Sequence, residues 1–292
     1  MAIPPDIPSF ATTVESVIME VSLALRAQKN EEYYASGSAV LIANNVAITA
    51  KHVFEDFWKL YSDNKKLIAG PEASGNFSMQ AISFPNDGKK AALWNILYVA
   101  LAPNTDIAFL HLTPADENSL NYKWKKIPKI DFAPPKVGEE ISCFGYRESK
   151  TSFENKKIIW EQTPTTSRGV VKEVHGEFRD NSRMKFPCFQ TNARFDGGMS
   201  GGPIFNSKGK LCGIICSSLE PSNQEEEHVS YGTTLWPAMI TKLEIDRIGY
   251  PNGQQYRALE LAEKGFIQSD NWERIKIVAD DVNKTQTISF RN

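Results

Sequence analysis

Cysteine is scarce in this chain of 292 residues, which has four, at Cys143, Cys188, Cys212 and Cys216. They form no C-x-x-C pair, and the closest two, Cys212 and Cys216, are four residues apart, so the usual zinc spacings are missing and we expect no metal site. A dense disulfide framework is also missing. We therefore interpret the four cysteines as small buried residues of a protein in a reducing compartment.

The sequence also has no long apolar run and no large excess of basic over acidic residues or the reverse. Stretches such as Val17 to Leu25 and Ala91 to Ala102 fall short of the ~18 residues or more that span a bilayer. No basic cluster precedes an apolar core near Met1, so we expect a soluble, cytoplasmic protein that has no membrane partner. The 33 basic and 35 acidic residues give a net charge of −2, and 41% hydrophobic composition is typical of globular domains.

Short apolar segments separated by polar turns, such as Asn44-Asn45, fill most of the chain and predict an all-β protein built as a sandwich or a pair of barrels. Helical spacing of Ala, Leu, Glu and Lys occurs late, in Leu235 to Ile248 and in Gln254 to Gly265. The predicted strands are Val17 to Leu25, Ser38 to Ile42, Val46 to Thr49, Phe77 to Phe84, Ala91 to Ala100, Ile107 to Leu112, Glu139 to Phe144, Lys157 to Glu161, Gly169 to Val174, Lys185 to Thr191, Pro203 to Phe205, Leu211 to Ser217 and Val229 to Thr234.

These patterns predict five parts of the chain. They are an N-terminal arm (1–16), a first β domain (17–120), a linker (121–135), a second β domain (136–236) and a helix-rich C-terminal extension (237–292). The linker contains a run of lysines beside Trp124 and several prolines. Phosphate binding normally needs a broader basic face, so we interpret these lysines as solvated and expect no nucleic-acid partner.

A serine lies among four glycines in Gly197-Gly198-Met199-Ser200-Gly201-Gly202, directly before a predicted strand. Glycines allow a tight turn and a close approach to a ligand. If the amides of Gly198 and Ser200 face one concavity, they could stabilise the negative oxygen formed when a nucleophile attacks a carbonyl. Taken alone, the motif fits an ordinary glycine-rich turn equally well.

A nucleophilic serine needs a neighbouring base, and that base needs an orienting carboxylate. Of the four histidines, His52 follows a buried-looking strand where a turn begins, which places it at a rim. The other three, His111, His175 and His228, fit core or surface roles. Asp106 leads into an apolar strand, where an unpaired carboxylate would be costly to bury.

Three blocks now resemble those of the trypsin-like serine peptidases: Thr49-Ala50-Lys51-His52-Val53, Thr105-Asp106-Ile107-Ala108 and Gly198-Met199-Ser200-Gly201-Gly202-Pro203. Their order along the chain matches that family, and supporting blocks such as Gly37-Ser38-Ala39-Val40-Leu41-Ile42 extend the resemblance over roughly Val17 to Trp236.

The resemblance implies two six-stranded antiparallel β-barrels of the chymotrypsin type, followed here by a helical C-terminal extension. It also implies a serine endopeptidase that needs no cofactor. Ser200 would attack the peptide carbonyl, His52 would transfer the proton and Asp106 would orient the imidazole, while the amides of Gly198 and Ser200 would form the oxyanion hole. Cys216, Ser217 and Ser218 would form the edge strand against which the substrate backbone pairs.

The chain departs from the digestive and clotting branch of that family, because Met199 stands where that branch has the aspartate of its activation salt bridge. It is closer in style to the bacterial stress-protease and intracellular branch, although no PDZ domain is evident. A switch other than that salt bridge is therefore expected. The alternative function is a sensing or binding module whose site is completed only by a partner or ligand, and a regulatory protein could act through residues 237–292.

Substrate preference is open at this stage. Arg194 and Phe195 fall where the resemblance places the floor of the specificity pocket. An inward Arg194 would favour an acidic side chain, Phe195 would make the pocket apolar, and Ser218 would narrow its entrance. The acidic run 225–227 would instead attract basic peptides, or all these charges could face water.

Overall fold

The computed structural model describes residues 9–12, 18–29, 32–61, 77–84, 91–122, 124, 126–154, 157–219, 227–244, 255–280 and 285–291. Most of these residues lie in β-strands, beginning with β1 (Phe10–Thr12). The other strands fall mainly into two groups of six. Each group is antiparallel and closes on itself, which confirms the expected pair of barrels.

The first barrel has the strand order β2-β3-β4-β7-β6-β5, and pairing of β5 with β2 closes it. Strand β4 is buried along its whole length, which explains why its sequence is apolar on both faces. Asn45, in the turn before β4, has a left-handed φ of 60°, which asparagine tolerates better than most residues. The six strands are β2 (Ser22–Lys29), β3 (Glu32–Ala43), β4 (Val46–Ala50), β5 (Phe77–Ser83), β6 (Ala92–Leu101) and β7 (Ile107–Pro114).

Helix α1 (Lys51–Tyr61) follows β4 without a break. Phe54 and Trp58 are four residues apart and therefore lie on one face of the helix, with ring centroids 5.9 Å apart. Together with Phe57 they pack against Ala27 and Met79 of the first barrel. This apolar face fixes the helix, and hence the end of β4, on the barrel wall.

The connection between the barrels contains a second helix, α2 (Glu117–Leu120), and a short strand, β8 (Ile130–Asp131). The side chain of Asp116 accepts a hydrogen bond from the amide of Ser119 and caps α2. The predicted linker region is thus tied to the fold, because Ile130 of β8 pairs in parallel with Leu211 of the second barrel.

The second barrel has the closed order β12-β9-β10-β11-β14-β13, with β12 paired to both β9 and β13. The two strands expected at Lys157 to Glu161 and Gly169 to Val174 are one long strand, β10. The six strands are β9 (Glu140–Glu154), β10 (Lys157–His175), β11 (Cys188–Thr191), β12 (Pro203–Asn206), β13 (Leu211–Leu219) and β14 (Val229–Thr234).

The N-terminal strand β1 lies on the second barrel, although the first barrel follows it in sequence. It pairs antiparallel with β10, with Phe10 opposite Ser167, and the amide of Arg168 donates to the carbonyl of Ser9 at 2.7 Å. The side chain of Phe10 thereby packs against the core of the second barrel.

The expected helix-rich C-terminal extension is wrong. Where two helices were expected, the structure has one short α-helix with strands on either side. Trp236 begins a 3-10 helix that ends after five residues, and Gly265, with a φ of 78°, follows the short α3. Residues 245–254 lie outside the described chain. The described elements are a 3-10 helix (Trp236–Ile240), β15 (Lys242–Glu244), β16 (Gln255–Arg257), α3 (Ala258–Glu263), β17 (Ser269–Asp270), a second 3-10 helix (Trp272–Arg274), β18 (Ile275–Asp280) and β19 (Thr285–Phe290).

The C-terminal elements share one hydrophobic cluster with both barrels. Met239 and Leu259 belong to the same buried cluster as Leu41 of the first barrel and Phe205 of the second. Strand β17 extends the sheet further by pairing in parallel with β8. In the described part of the chain, no helix has the length and apolar character needed to cross a membrane.

Candidate active site

His52 is the second residue of α1, at the point where the buried strand β4 ends. Its backbone amide donates to Oδ1 of Asp106 at 2.9 Å, and the amide of Lys51 donates to the Asp106 carbonyl at 3.2 Å. The positive end of the helix dipole thus faces the carboxylate. The imidazole is 37% exposed and reaches the cleft between the barrels, whereas His111 is buried in β7.

Asp106 directly precedes β7, and its carboxylate is buried. Oδ1 accepts from the His52 amide, while Oδ2 lies 2.8 Å from His52 Nδ1 and accepts from Cys216 Sγ at 3.1 Å. Three hydrogen-bond donors therefore surround this carboxylate, which offsets the cost of burying it.

The pKa of His52 is raised above its ordinary value by a balance of opposing effects. Burial of the ring lowers this pKa, but the hydrogen bond and the negative charge of Asp106 outweigh it, with smaller contributions from Asp56 and Glu55. Because Nδ1 faces Asp106, Nε2 is the nitrogen left to exchange a proton with a substrate or a nucleophile.

Ser200 lies in the turn before β12, and glycines on both sides of it adopt conformations that other residues rarely take. Gly198 and Gly201 have φ angles of 90° and 83°. A Cβ on Gly201 would lie 2.1 Å from Thr49 Oγ1 and 2.2 Å from the carbonyl oxygen of Ser38, so only glycine fits there. In the described chain, the amides of Gly198 and Ser200 have no acceptor, which leaves two donors free in the predicted oxyanion hole.

Ser38 fixes the serine turn against the first barrel, a role that the sequence alone did not predict. Its amide donates to the Ser200 carbonyl at 2.8 Å and its hydroxyl donates to the Gly198 carbonyl at 3.0 Å. The same hydroxyl accepts from the amide of Tyr146 at 2.8 Å. One short side chain thus links three segments, and a serine in an apolar strand was the only sequence signal for it.

The hydroxyl of Ser200 donates to the carbonyl oxygen of Cys216 at 3.4 Å, and this is its hydrogen-bond partner among the described residues. Cys216 in turn contacts Asp106, and Asp106 contacts His52. Contacts therefore connect all three predicted catalytic residues through Cys216. The link from Cys216 to Asp106 was not predicted either, although Cys216 was already placed in the substrate strand.

Arg194, which the resemblance places at the floor of the specificity pocket, contacts an acidic side chain and an aromatic ring of the chain itself. Its guanidinium forms two hydrogen bonds with Asp196, at 2.7 and 3.1 Å, and lies 4.4 Å from the centre of the Phe10 ring. Arg147 contacts the same two residues, since its guanidinium lies 3.6 Å from the Asp196 carboxylate and 5.3 Å from the centre of the Phe10 ring. The charge of Arg194 is therefore paired within the chain.

The remaining predicted substrate residues lie in the last part of β13 or next to it. Phe195 is buried in the core of the second barrel, and its carbonyl accepts from the Ser218 hydroxyl at 2.9 Å. Ser217 and Ser218 pair with β14 on one side, while pairing with β12 on the other side ends at Ile214. In the described chain this leaves an unpaired strand edge beside the cleft.

A cleft of about 980 Å³ lies between His52, Asp106 and Cys216 on one side and residues 182–186 on the other. Asp180 shapes the second wall, since its carboxylate accepts from the Ser182 hydroxyl at 2.7 Å and from nearby backbone amides, which lower the pKa of Asp180. Of the acidic run, Glu227 pairs with Lys172 at 2.8 Å, and residues 225 and 226 lie outside the described chain.

One group of described residues has the atoms to hold a metal ion. The ligand atoms of His52, Asp106 and Cys216 lie within 4.8 Å of one another. Burial raises the pKa of the Cys216 thiol well above its usual value, and the charge of Asp106 adds to this, so the sulfur stays protonated and acts as a donor. Hydrogen bonds to Asp106 thus satisfy these groups without an ion. All four cysteines are free and buried.

A barrel pair with a histidine–aspartate couple in its cleft, and a glycine-flanked serine bonded to Cys216 of the same cleft, is typical of the trypsin-like peptidases. The family model of the trypsin-like peptidase domain matches residues 37–214, more than half of the chain, and the chain belongs to this family.

Among solved structures, the chain is similar to the Rv3671c protease in its inactive form, with 14% identity and a TM-score of 0.42, over 74% of this chain and 84% of that one. A variant of Rv3671c from M. tuberculosis H37Rv gives 13% identity and a TM-score of 0.42, over 74% of this chain and 82% of that one. The HtrA-type protease AlgW with a tripeptide gives 16% identity and a TM-score of 0.47, over 76% of this chain and 58% of that one.

Proposed function

We propose that this chain is a serine endopeptidase that cleaves protein substrates through His52, Asp106 and Ser200. The observation that supports this most directly is the double contact between His52 and Asp106, in which Nδ1 and the backbone amide reach the two carboxylate oxygens at 2.8 and 2.9 Å. This arrangement fixes both the position and the tautomer of the imidazole, as a general base requires.

In the proposed reaction, Ser200 Oγ forms a bond to the carbonyl carbon of the substrate while its proton moves to His52 Nε2. The negative oxygen that results accepts hydrogen bonds from the amides of Gly198 and Ser200. His52 then gives the proton to the leaving amine as the peptide bond breaks. Water next attacks the acyl carbon while its proton moves to His52, and His52 returns that proton to Ser200 Oγ as the acyl–oxygen bond breaks and the acid product leaves. Asp106 stabilises the charged imidazole and is not protonated itself.

The unpaired edge of β13 at Ser217 and Ser218 supports a polypeptide as the substrate. An extended peptide can add to such an edge through its backbone, so binding would not require one particular side chain. Because Arg194 is paired with Asp196, we do not assign a preference for acidic residues to it. Selectivity is proposed to come from the cleft and its charged rim.

The second candidate function is a module whose catalytic site is completed by a partner or ligand. It is supported by the hydroxyl of Ser200, which is hydrogen-bonded to the Cys216 carbonyl at 3.4 Å instead of to His52. Rotation of one side chain would free this hydroxyl, and catalytic hydrogen bonds often tighten only when substrate binds. The two candidates therefore differ in what triggers this rotation.

Labelling with a fluorophosphonate, read by intact mass, tests the proposal. We expect one adduct on the wild type and none on Ser200→Ala, while Ser207→Ala, which removes a hydroxyl bonded to Glu139 on the surface, should label like the wild type. Cleavage of fluorescein-labelled casein should follow the same pattern. Adducts on the Ser200→Ala variant would rule out Ser200 as the nucleophile, and labelling that needs an added protein partner would support the second candidate.

A further inference from the structure

A groove of about 600 Å³ lies beside the C-terminal hairpin formed by β18 and β19. Its walls come from six places in the chain: the loop before Asp106, Pro134, the two residues after β10, the segment before β11, the 3-10 helix at Trp236–Ile240 and the last strand. Much of this wall is apolar, because it contains Pro103, Pro187, Trp236, Pro237 and Phe290. The proposed catalytic chemistry gives this groove no role.

The groove adjoins the catalytic cleft. Asn104 and Lys185 line both cavities, and Asn104 is two residues before Asp106. Asn104 has a φ of 53°, which turns the chain sharply between the two cavities. An extended polypeptide that leaves the cleft between these two residues would therefore enter the groove.

Strand β19 borders the groove along its edge. Five consecutive residues, Gln286 to Phe290, line the groove. Successive side chains of a strand point to opposite faces, so five in a row can border one groove only if the groove follows the strand edge. In the described residues β19 pairs only with β18, so its other edge presents unpaired backbone groups.

We propose that this groove is a second binding site for the protein substrate, distant from the bond that is cleaved. An extended apolar segment of the substrate pairs with the free edge of β19, and its side chains pack against the apolar surface formed by Trp236 and Phe290, whose ring centroids are 6.3 Å apart. The remainder of the same chain passes Asn104 and Lys185 and reaches Ser200. This inference rests on the proposed peptidase function and assigns a role to the C-terminal hairpin.

Comparison of two substrates separates this site from the catalytic one. Casein is long enough to fill both sites, whereas p-nitrophenyl acetate can occupy only the catalytic site. Phe290→Ala should lower the ratio of casein kcat/KM to ester kcat/KM about fivefold or more, because it removes part of the apolar wall. Thr287→Lys, at an exposed position on the groove, should lower this ratio as well.

Val278→Ala is the matched control, because Val278 is an exposed apolar residue on the same hairpin and does not line the groove. It should leave the ratio as in the wild type. A ratio that is unchanged in both Phe290→Ala and Thr287→Lys would overturn the proposal. An equal loss in Val278→Ala would overturn it too, since the effect would then come from the hairpin as a whole.

Direct binding keeps the test independent of turnover. A fluorescein-labelled peptide of alternating isoleucine and threonine should bind the Ser200→Ala protein, and Phe290→Ala in that background should weaken its Kd about fivefold. The same peptide with N-methylated backbone nitrogens should bind less well if strand pairing holds it. Binding without any fluorophosphonate labelling of the wild type would reject the peptidase and retain the groove, whereas labelling without groove-dependent binding would do the reverse.

Discussion

The thiol of Cys216 and the imidazole of His52 donate to the same oxygen of Asp106, over 3.1 and 2.8 Å. A weak donor thus shares the carboxylate with the proposed base. Since the Cys216 carbonyl also accepts from Ser200, one residue contacts two members of the proposed triad. This makes Cys216 a positioning residue whose loss should alter the titration of His52.

Cys216→Ala should lower kcat/KM about tenfold, which corresponds to about 1.4 kcal/mol and is typical for a hydrogen bond to a charged group. Without this donor Asp106 carries a less stabilised negative charge, so the pKa of His52 should rise and activity should begin at higher pH. The pH profile of casein cleavage measures this. Cys212→Ala, which removes another buried thiol, should keep the wild-type profile, and Cys216→Ser should restore most of the activity. An unshifted profile in Cys216→Ala would limit Cys216 to packing.

Activity should rise with pH through the pKa of His52, because only the neutral ring can accept the proton of Ser200. Asp106 raises this pKa above its ordinary value, so the rise should come at a correspondingly higher pH. Asp106→Asn removes the charge that raises the pKa and leaves the burial that lowers it, so the rise should move to lower pH while kcat falls on the order of 10³-fold or more. Rates of casein cleavage at saturating substrate across the pH range measure both effects.

The raised pKa of His52 also predicts that this residue contributes to the stability of the folded protein. A histidine whose pKa is raised on folding stabilises the fold when protonated, so this contribution is fully present below the pKa of the unfolded chain and is lost as the pH rises through the folded pKa. Thermal unfolding at several pH values should give a higher Tm for the wild type than for His52→Gln, and this difference in Tm should narrow as the pH rises. A difference in Tm that does not depend on pH would contradict the raised pKa of His52.

Phe10→Ala should slow catalysis although Phe10 is far from Ser200 in sequence. The ring of Phe10 supports Arg194 and Arg147, which both pair with Asp196, and Asp196 lies two residues before Gly198. Cation–π contacts of this kind contribute about 0.5–2 kcal/mol, so we expect kcat to fall about three- to tenfold with a smaller change in KM. Phe10→Tyr should restore the rate. Phe178→Ala, at an exposed ring elsewhere, is the control, and a loss confined to KM would argue against a role in positioning the turn.

Gly201→Ala should destabilise the protein by about 3 kcal/mol or more, since the new Cβ would meet backbone and side-chain atoms of the first barrel at 2.1 and 2.2 Å. Gly197→Ala is the matched control in the same turn, because a Cβ there has no neighbour within 4 Å. Its stability should stay within about 0.5 kcal/mol of the wild type. Urea unfolding measures both, and equal stability of the two variants would mean that the turn can move away from the first barrel.

The sequence was most informative at the proposed catalytic residues, because each stands in a short local pattern. His52, Asp106 and Ser200 stand at strand and turn boundaries that periodicity alone predicts, and the structure brings them into contact through Cys216. The contacts of Arg194 could not be predicted, because they depend on β1 returning to a strand more than 150 residues away, as the pairing of Phe10 with Ser167 shows.

The C-terminal extension was mispredicted for a related reason. Ala258–Glu263 is helical as its composition suggests, but the helix is only six residues long because its flanks are held as strands by partners distant in sequence. Strands β18 (Ile275–Asp280) and β19 (Thr285–Phe290) contain β-branched residues, which favour strands, but no strand was predicted in this part of the chain.

The cluster that joins Met239 and Leu259 to Leu41 and Phe205 has a consequence for how this protein comes into being. During synthesis the first barrel leaves the ribosome long before the residues that cover one side of it. The core of both barrels is complete only once the last strands have been made and have docked. A chain cut before residue 237 therefore lacks Met239 and Leu259, and with them part of the hydrophobic packing that both barrels share.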